Sequence, residues 1–162
     1  MSNKNLKWIY LCLLAVVWGS SFILIKKGLV GLTPLQVGSL RTVFAALLLV
    51  VIGLKSLKNI KGKQWKWIAF SGFFGTFFPA YLFSYAETEI DSAIVSILNS
   101  TTPLLSMLLG IFIFEAPFIK KKLVGVLIGL AGTTALILSG AAVNPDQNYW
   151  YSLLVILASL FY

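Results

Sequence analysis

Histidine is absent from the 162-residue sequence, and cysteine occurs once, as Cys12. Imidazole is the usual base in catalytic triads, a common metal ligand and the usual proton carrier near neutral pH. Its absence argues against sites of those kinds, and a lone cysteine cannot form an intrachain disulfide. The signature GxxxxGK[ST] of nucleotide-binding loops is missing as well. We therefore predict no catalytic residue, no metal, no cofactor and no enzyme activity.

Charged residues are also scarce, at 11% of the chain, whereas 59% of the residues are hydrophobic and the mean hydropathy is +0.92. This balance lies outside the usual range of soluble globular domains and indicates an integral membrane protein. The net charge of +8 comes largely from lysines in short clusters between apolar segments. In a membrane protein that pattern directs insertion, so we predict contact with the lipid bilayer and no nucleic-acid partner.

Long apolar runs fill the rest of the sequence. A helix crosses the hydrocarbon core with about 20 residues, and five stretches are long enough: Trp8 to Ile25, Leu35 to Leu54, Trp67 to Ala86, Ala93 to Phe114 and Leu123 to Val143. Thr33, Pro34 and Gln36 form a capping-box start for the second stretch. A sixth run, from Tyr149 to Tyr162, is too short to span, so we expect the chain to end inside a helix. The predicted fold class is an all-α integral membrane protein with five transmembrane helices and the start of a sixth.

The lysines give these spans a direction. Basic residues in short loops are retained on the cytoplasmic side, and ten of the thirteen would lie on one side: Lys4, Lys7, Lys55, Lys58, Lys61, Lys63, Lys66, Lys120, Lys121 and Lys122. Four of the five acids would lie on the other: Glu87, Glu89, Asp91 and Asp146. We predict a multi-pass protein of the inner (plasma) membrane with a cytoplasmic N-terminus.

The fourth span carries an unusual stripe of small and polar residues. Spacings of three and four place them on one helix face: Ser92, Ser96, Asn99, Pro103, Ser106 and Gly110. Such a stripe either allows close helix packing or lines a cavity, and the sequence leaves both interpretations open. A proline inside a helix has no N–H for the carbonyl four residues back, here that of Asn99. Nearby hydroxyl groups can supply a new partner, and broken helices are common at transporter binding sites.

Two further features stand out within the spans. Arg41 is the only basic residue deep inside one, where it either extends outward to the lipid headgroups, or pairs with a carboxylate on the same side of the membrane or faces a wet cavity. Gly125 and Gly129 form a GxxxG pair, which favours helix packing over chemistry. Lys26 and Lys27, at the end of the first span, are interpreted as interfacial anchors.

Several motifs together resemble the drug/metabolite transporter superfamily, in particular the EamA-type repeat. They are WGSSFILIKKGL in the first span, TPLQVGSLRTVFAALLL in the second, the proline of NSTTPLL in the fourth, Glu115 at its end, and GVLIGLAG in the fifth. The resemblance implies ten helices in two inverted five-helix repeats around a central cavity. Residues 1–143 would then be the first repeat, and residues 144–162 an external loop and the start of the second.

The same resemblance implies which residues approach the substrate. They are Trp18, Ser21, Tyr81, Tyr85, Asn99 and Thr102. The leading hypothesis is a secondary transporter, an exporter of a small metabolite such as an amino acid or related compound, which needs a second repeat or a partner subunit. One alternative is a membrane scaffold or assembly module that does not transport. Another is a half-size transporter acting as an antiparallel dimer, against which the strong lysine bias argues.

Overall fold

The protein is described from a computed structural model, which describes residues 3–57, 60–140 and 146–161. Within these ranges the secondary structure is helical and contains no strand. The α-helices are α1 (Asn3–Gly28), α2 (Pro34–Leu57), α3 (Gly62–Gly72), α4 (Phe78–Glu89), α5 (Ser92–Asn99), α6 (Thr102–Phe114), α7 (Lys120–Gly140) and α8 (Ser152–Phe161). The all-α expectation is therefore confirmed for the described part of the chain.

Among the described residues, four helical stretches are long and apolar enough to cross a membrane. They are Leu6–Gly28, Pro34–Leu54, Gly62–Glu89 and Ser92–Phe114. They match the first four predicted spans. The fifth predicted span is helical as α7 up to Gly140, while residues 141–143 lie outside the described ranges. That α7 crosses the membrane stays a prediction.

The helix ends follow local rules. The Thr33 hydroxyl accepts a hydrogen bond from the Gln36 amide at 3.3 Å, and the Gln36 side-chain oxygen accepts one from the Thr33 amide at 2.9 Å. The predicted capping box at the start of α2 is thus confirmed. At the C-terminus of α6, the capping residue Glu115 has a left-handed backbone with φ 52°. The Ala116 amide donates a hydrogen bond to the Gly110 carbonyl at 3.0 Å, as is typical of helix C-termini.

The third span contains one wide turn. Residues Phe73–Phe77 form a five-residue π-helical turn between α3 and α4. Pro79 follows this turn, and a proline has no N–H and crowds the carbonyl four residues back, that of Gly75. The rings of Phe74 and Phe78 pack against Phe161 of α8, with centroids 5.4 and 5.5 Å apart. The π-helical turn therefore lies where α8 packs against the third span.

The buried core lies at one end of the bundle, the end that holds the α1–α2 turn and Ile90. We refer to this as the core end. The buried apolar residues there are Ile25, Val37, Phe83, Ala86, Ile90, Val95, Val155 and Ala158. Helix α4 is central, since its most extensive helix contacts are with α8 and α2. Because α8 contributes to this core, the last apolar run packs against α4 and α5; its assignment to a second repeat stays a prediction.

Candidate functional site

A cavity of about 610 Å³ opens where α1, α2 and α4 face the junction of α5 and α6 and the side of α7. A volume of this size is typical of sites for small molecules. Its lining combines aromatic, hydroxyl, amide and cationic groups: Trp18, Ser21, Phe22, Arg41, Phe83, Asn99, Ser100, Thr102, Pro103, Ser106, Val126, Gly129 and Leu130.

The fourth span is interrupted at the cavity. Ser100 and Thr101 separate α5 from α6, and Pro103 lies in the first turn of α6. The backbone tightens there, because the amide of Thr101 donates to the carbonyl three residues back, that of Leu98, at 3.1 Å. An interruption is what a proline without an N–H predicts at this position.

Two hydroxyls of the LNSTTPLL segment satisfy backbone carbonyls at this break. The Ser100 hydroxyl donates to the carbonyl of Ile97 at 2.6 Å, and the Thr101 hydroxyl donates to that of Leu98 at 2.6 Å. In a membrane no water replaces a missing backbone partner, so these side chains stabilise the interruption. The carbonyls that these hydroxyls bond are those of Ile97 and Leu98; a hydroxyl partner for the carbonyl of Asn99 stays a prediction.

The other two polar residues of the segment meet at the cavity wall. The Thr102 hydroxyl donates to the Asn99 side-chain oxygen at 3.3 Å, and both residues line the cavity. Ser106, one turn further along α6, lines it too. The polar stripe of span 4 thus reaches the cavity in its middle part. At its start, Ser96 donates to the carbonyl of Ser92 at 2.7 Å, within its own helix.

Arg41 lies at the cavity wall opposite this stripe. One guanidinium nitrogen donates to the Ser21 hydroxyl at 3.1 Å, and both residues line the cavity. The charge of Arg41 also interacts with the carboxylate of Glu87. The position of Arg41 agrees with the interpretation in which it faces a cavity, and its pairing with a carboxylate stays a prediction.

Glu87 belongs to a polar cluster at the core end that sequence reasoning missed. Its side chain is fully buried, and one carboxylate oxygen accepts a hydrogen bond from the Ser92 hydroxyl at 2.8 Å. The ammonium group of Lys26 donates to the backbone carbonyls of Glu87 and Ile90, at 2.8 and 3.1 Å. A cation at the C-terminus of α4 is favoured by the helix dipole. Lys26 thus joins the end of α1 to the end of α4, and its role as an interfacial anchor stays a prediction.

A sequence signal for the burial of Glu87 did exist. Ala80, Phe83, Ser84 and Glu87 are all buried, and their spacing places them on one face of α4. An acid that falls on an otherwise buried stripe is expected to be buried with a partner.

The structure brings together four of the six predicted substrate residues. Trp18, Ser21, Asn99 and Thr102 line the cavity, whereas Tyr81 and Tyr85 do not. The Tyr81 hydroxyl instead shares a hydrogen bond with that of Ser39, at 3.0 Å, and the Tyr81 ring lies against α2. The assignment of all six as substrate contacts stays a prediction.

The remaining predicted structural residues differ in position. Pro103 and Gly129 line the cavity, and Glu115 ends α6. At Gly125 and Gly129, a Cβ would meet no described atom beyond its own helix within 4 Å. A role of the GxxxG pair in helix packing stays a prediction.

Curated proteins with similar sequences are named as transporters or as an efflux pump. An uncharacterized transporter of Archaeoglobus fulgidus is 29% identical over 130 residues, which is 80% of this chain and 47% of that protein. A Salmonella typhimurium protein named "Probable amino-acid metabolite efflux pump" is 28% identical over 152 residues, 92% of this chain and 48% of that protein. An uncharacterized transporter of Bacillus subtilis is 30% identical over 152 residues, 90% of this chain and 47% of that protein. No solved structure matches the chain.

The chain spans about half the length of the curated relatives it matches, and their names describe transporters or efflux pumps rather than enzymes. The model of the EamA-like transporter family matches residues 6–138. Since this match covers most of the sequence and agrees with the apolar helices and their order, the protein belongs to the EamA-like transporter family.

Proposed function

We propose that the chain forms half of a secondary transporter that exports a small metabolite, such as an amino acid or related compound, across the inner (plasma) membrane. The observation that carries the proposal is the cavity at the break in span 4. Its wall holds the side chains of Asn99 and Thr102 together with aromatic rings, a combination that suits a small solute with polar and apolar parts. The name of the Salmonella relative supports both the substrate class and the direction.

The lysine distribution supports an orientation with a cytoplasmic N-terminus. In it the core end, with Glu87 and Asp91, faces outward. The sequence has no nucleotide-binding loop, so an ion or substrate gradient would supply the energy. Alternating access requires one repeat to move against another, and a second five-helix repeat or a partner subunit would complete the cavity.

The first test measures export. Cells that make the full-length protein should release more amino acids into the medium than cells without it. Asn99→Ala and Thr102→Ala should leave the amount of folded protein unchanged and alter the apparent affinity for the solute, because each removes a polar group from the cavity wall. Unchanged release from cells with the wild-type protein would contradict the proposed function.

The second test measures access of water to the cavity. Single cysteines at positions 99 and 102, in a background without Cys12, should react with small water-soluble thiol reagents. Cysteines at Leu98 and Leu105, which do not line the cavity, serve as matched controls and should not react. Equal protection of all four positions, together with wild-type export by the alanine variants, would mean that the segment only packs against other helices. That result would contradict the proposed site.

A further inference from the structure

We propose that Glu87 is a proton-binding site and that the core end closes with a proton bound there. The carboxylate takes up the proton from the water outside as it becomes buried, and it releases the proton when water reaches it again. The inference rests on the alternating access of the transport function proposed above and adds to it an ion that takes part in the cycle.

Glu87 lies where a negative charge has few hydrogen-bond donors. Its side chain is fully buried at the core end. Of its two carboxylate oxygens, Oε2 lies 2.8 Å from the Ser92 hydroxyl, whereas Oε1 is buried and has no hydrogen-bond partner among the described residues. An ionised carboxylate can accept about four hydrogen bonds, two on each oxygen. The contact with Ser92 therefore leaves most of the acceptor capacity of an ionised Glu87 unused.

The contacts of Ser92 fit the neutral acid better than the anion. The Ser92 hydroxyl oxygen lies 2.8 Å from Oε2 of Glu87 and 3.2 Å from the carbonyl oxygen of Phe22. A hydroxyl group has one hydrogen, so beside an ionised Glu87 it can donate fully to only one of these two acceptors. If Glu87 carries a proton, its own O–H group donates to Ser92, and the Ser92 hydroxyl donates to Phe22. The bound proton therefore completes a chain in which each hydrogen has an acceptor.

Two cations oppose this preference from neighbouring helices. The charges of Lys26 and Arg41 interact with the Glu87 carboxylate and favour its ionised form. The Lys26 ammonium group donates to backbone carbonyls, and a guanidinium nitrogen of Arg41 donates to Ser21, so neither of these bonds reaches the buried Oε1. A buried ion recovers its lost hydration only when a close partner and further hydrogen bonds complete the pair. The neutral acid is thus favoured while the core end is closed.

The other ionisable groups around this site are engaged elsewhere or exposed. Asp91, before α5, is held by the side chain of Gln147. The Tyr81 hydroxyl shares its hydrogen bond with Ser39, and Tyr151, before α8, packs against the apolar core. Helix α8 itself has no ionisable side chain. The exposed ionisable side chains nearby on α1 and α4 are Lys27, Tyr85 and Glu89.

Closure of the core end decides whether water reaches Glu87. The apolar core and the two bonds of Lys26 hold α1, α4 and the start of α5 together around it. When the cavity opens to the outside, these contacts must separate, and water can then hydrate the carboxylate. A hydrated carboxylate is stable as an ion, whereas a buried one is costly. By linkage, proton binding favours closure and closure favours proton binding.

The first measurement detects the proton by infrared spectroscopy of the purified full-length protein in detergent. At neutral pH, where exposed carboxyl groups are ionised, the C=O band of a protonated carboxylic acid should be present. It should be missing from Glu87→Gln. Glu89→Gln removes an exposed acid two positions away and should keep the band. Identical carboxylic-acid bands in the wild type and in Glu87→Gln would overturn the inference.

The second measurement follows closure by thiol labelling from outside the cell with an impermeant reagent. Val95 is buried in α5 at the core end, and Val30 is exposed in the α1–α2 turn. Single cysteines at these positions, in a cysteine-free background, give the ratio of the two labelling rates. In the wild type the ratio should rise with pH by up to about tenfold per pH unit, the limit for one linked proton. In Glu87→Gln, which resembles the protonated acid, the ratio should stay low at each pH.

A third variant keeps the test valid if Glu87→Gln does not fold. Lys26→Gln removes a cation that favours the ionised form, so the infrared band of Glu87 should persist to higher pH than in the wild type. Lys27→Gln removes the exposed cation next to it in sequence and should leave the titration unchanged. If Lys26→Gln also leaves the titration unchanged, the band does not come from a carboxyl group beside Lys26, and the assignment to Glu87 is wrong.

The outcomes separate this inference from the proposed function, because neither measurement uses a solute. If the labelling ratio does not depend on pH, or depends on it equally in Glu87→Gln, the inference is overturned while the transport function stands. If cells with the wild-type protein export no amino acid, the proposed function fails, while the infrared band and the labelling ratio still decide whether Glu87 binds the proton.

Discussion

Replacing Gly38 with alanine should weaken the contact between α2 and α4. A Cβ at this position would lie 2.8 Å from Cδ1 of Tyr81 and 3.1 Å from its Cε1. Carbon atoms pack optimally at about 3.5 to 4.0 Å, so the ring or a helix must shift. The ring is not free to slide, because the Tyr81 hydroxyl is bonded to that of Ser39 at 3.0 Å.

The expected magnitude follows from two opposing effects. Overpacking of a well-packed contact lowers the free energy of unfolding by about 1 to 3 kcal/mol. Exchanging glycine for alanine inside a helix raises it by about 0.8 to 1 kcal/mol. Gly53 lies in the same helix, and a Cβ there meets no atom of the described residues within 4 Å. Gly53→Ala should therefore show only the stabilisation from the helix propensity of alanine. The free energies of unfolding of the two variants should differ by the overpacking effect, about 1 to 3 kcal/mol.

Thermal unfolding in one detergent, followed by circular dichroism, measures this difference. Gly38→Ala should melt below Gly53→Ala, and Gly53→Ala should melt at or above the wild type. A second background with Tyr81→Ala removes the ring, so Gly38→Ala should there behave like Gly53→Ala. Equal melting temperatures for the two single variants would refute the close approach of α2 to Tyr81.

Three further predictions concern other contacts of the fold, and the same melting assay checks each of them. Gln147→Ala removes both hydrogen bonds to Asp91 and should lower the unfolding free energy by about 1 to 3 kcal/mol; no loss would contradict the contact. Glu115→Gly removes the strain of the left-handed backbone at φ 52° and should raise the unfolding free energy by up to about 1 kcal/mol; a lower unfolding free energy would argue against that conformation. Thr101→Val removes the hydroxyl hydrogen bond to the Leu98 carbonyl, which keeps the bond from the Thr101 amide, and should lower the unfolding free energy by about 1 kcal/mol; an unchanged melt would mean that the hydroxyl bond does not stabilise the break.

Features with local causes were predictable from the sequence. The start of α2 at Pro34 follows from Thr33 and Gln36, which are separated by one helical turn. The break in span 4 follows from Pro103 and its neighbouring hydroxyls. In each case the residues that cause the feature are adjacent in sequence, so no knowledge of the tertiary structure is needed.

Features that join distant segments were not predictable in the same way. Lys26 reaches the carbonyls of Glu87 and Ile90 across more than sixty positions. Taken alone, a lysine at the end of a span and an acid before a loop both suggest an exposed surface. The contact between them depends on how α1 meets α4, which the local pattern does not specify.

The candidate site shows the same division. Asn99 lies on the stripe found through the helical spacing of span 4, Thr102 was assigned through the family resemblance, and the structure places both at the cavity. Tyr81 was assigned through a family resemblance, and the structure places its ring against α2 instead. The missing information was the rotation of α4 about its own axis, which is determined by packing against α8 and α2.

The location of the core at one end of the bundle has a mechanical consequence. Helices α3 and α6 contain no buried residue, whereas α4, α5 and α8 all do. The wide turn at Phe73–Phe77 separates α3 from α4, and the break at Ser100 separates α6 from α5. The third span thus joins α4, which has buried residues, to α3, which has none. The fourth span joins α5 to α6 in the same way. Tilting α6 disturbs little packing, so we expect the cavity to widen along α6 by bending at the break in the fourth span, while the core end keeps its packing.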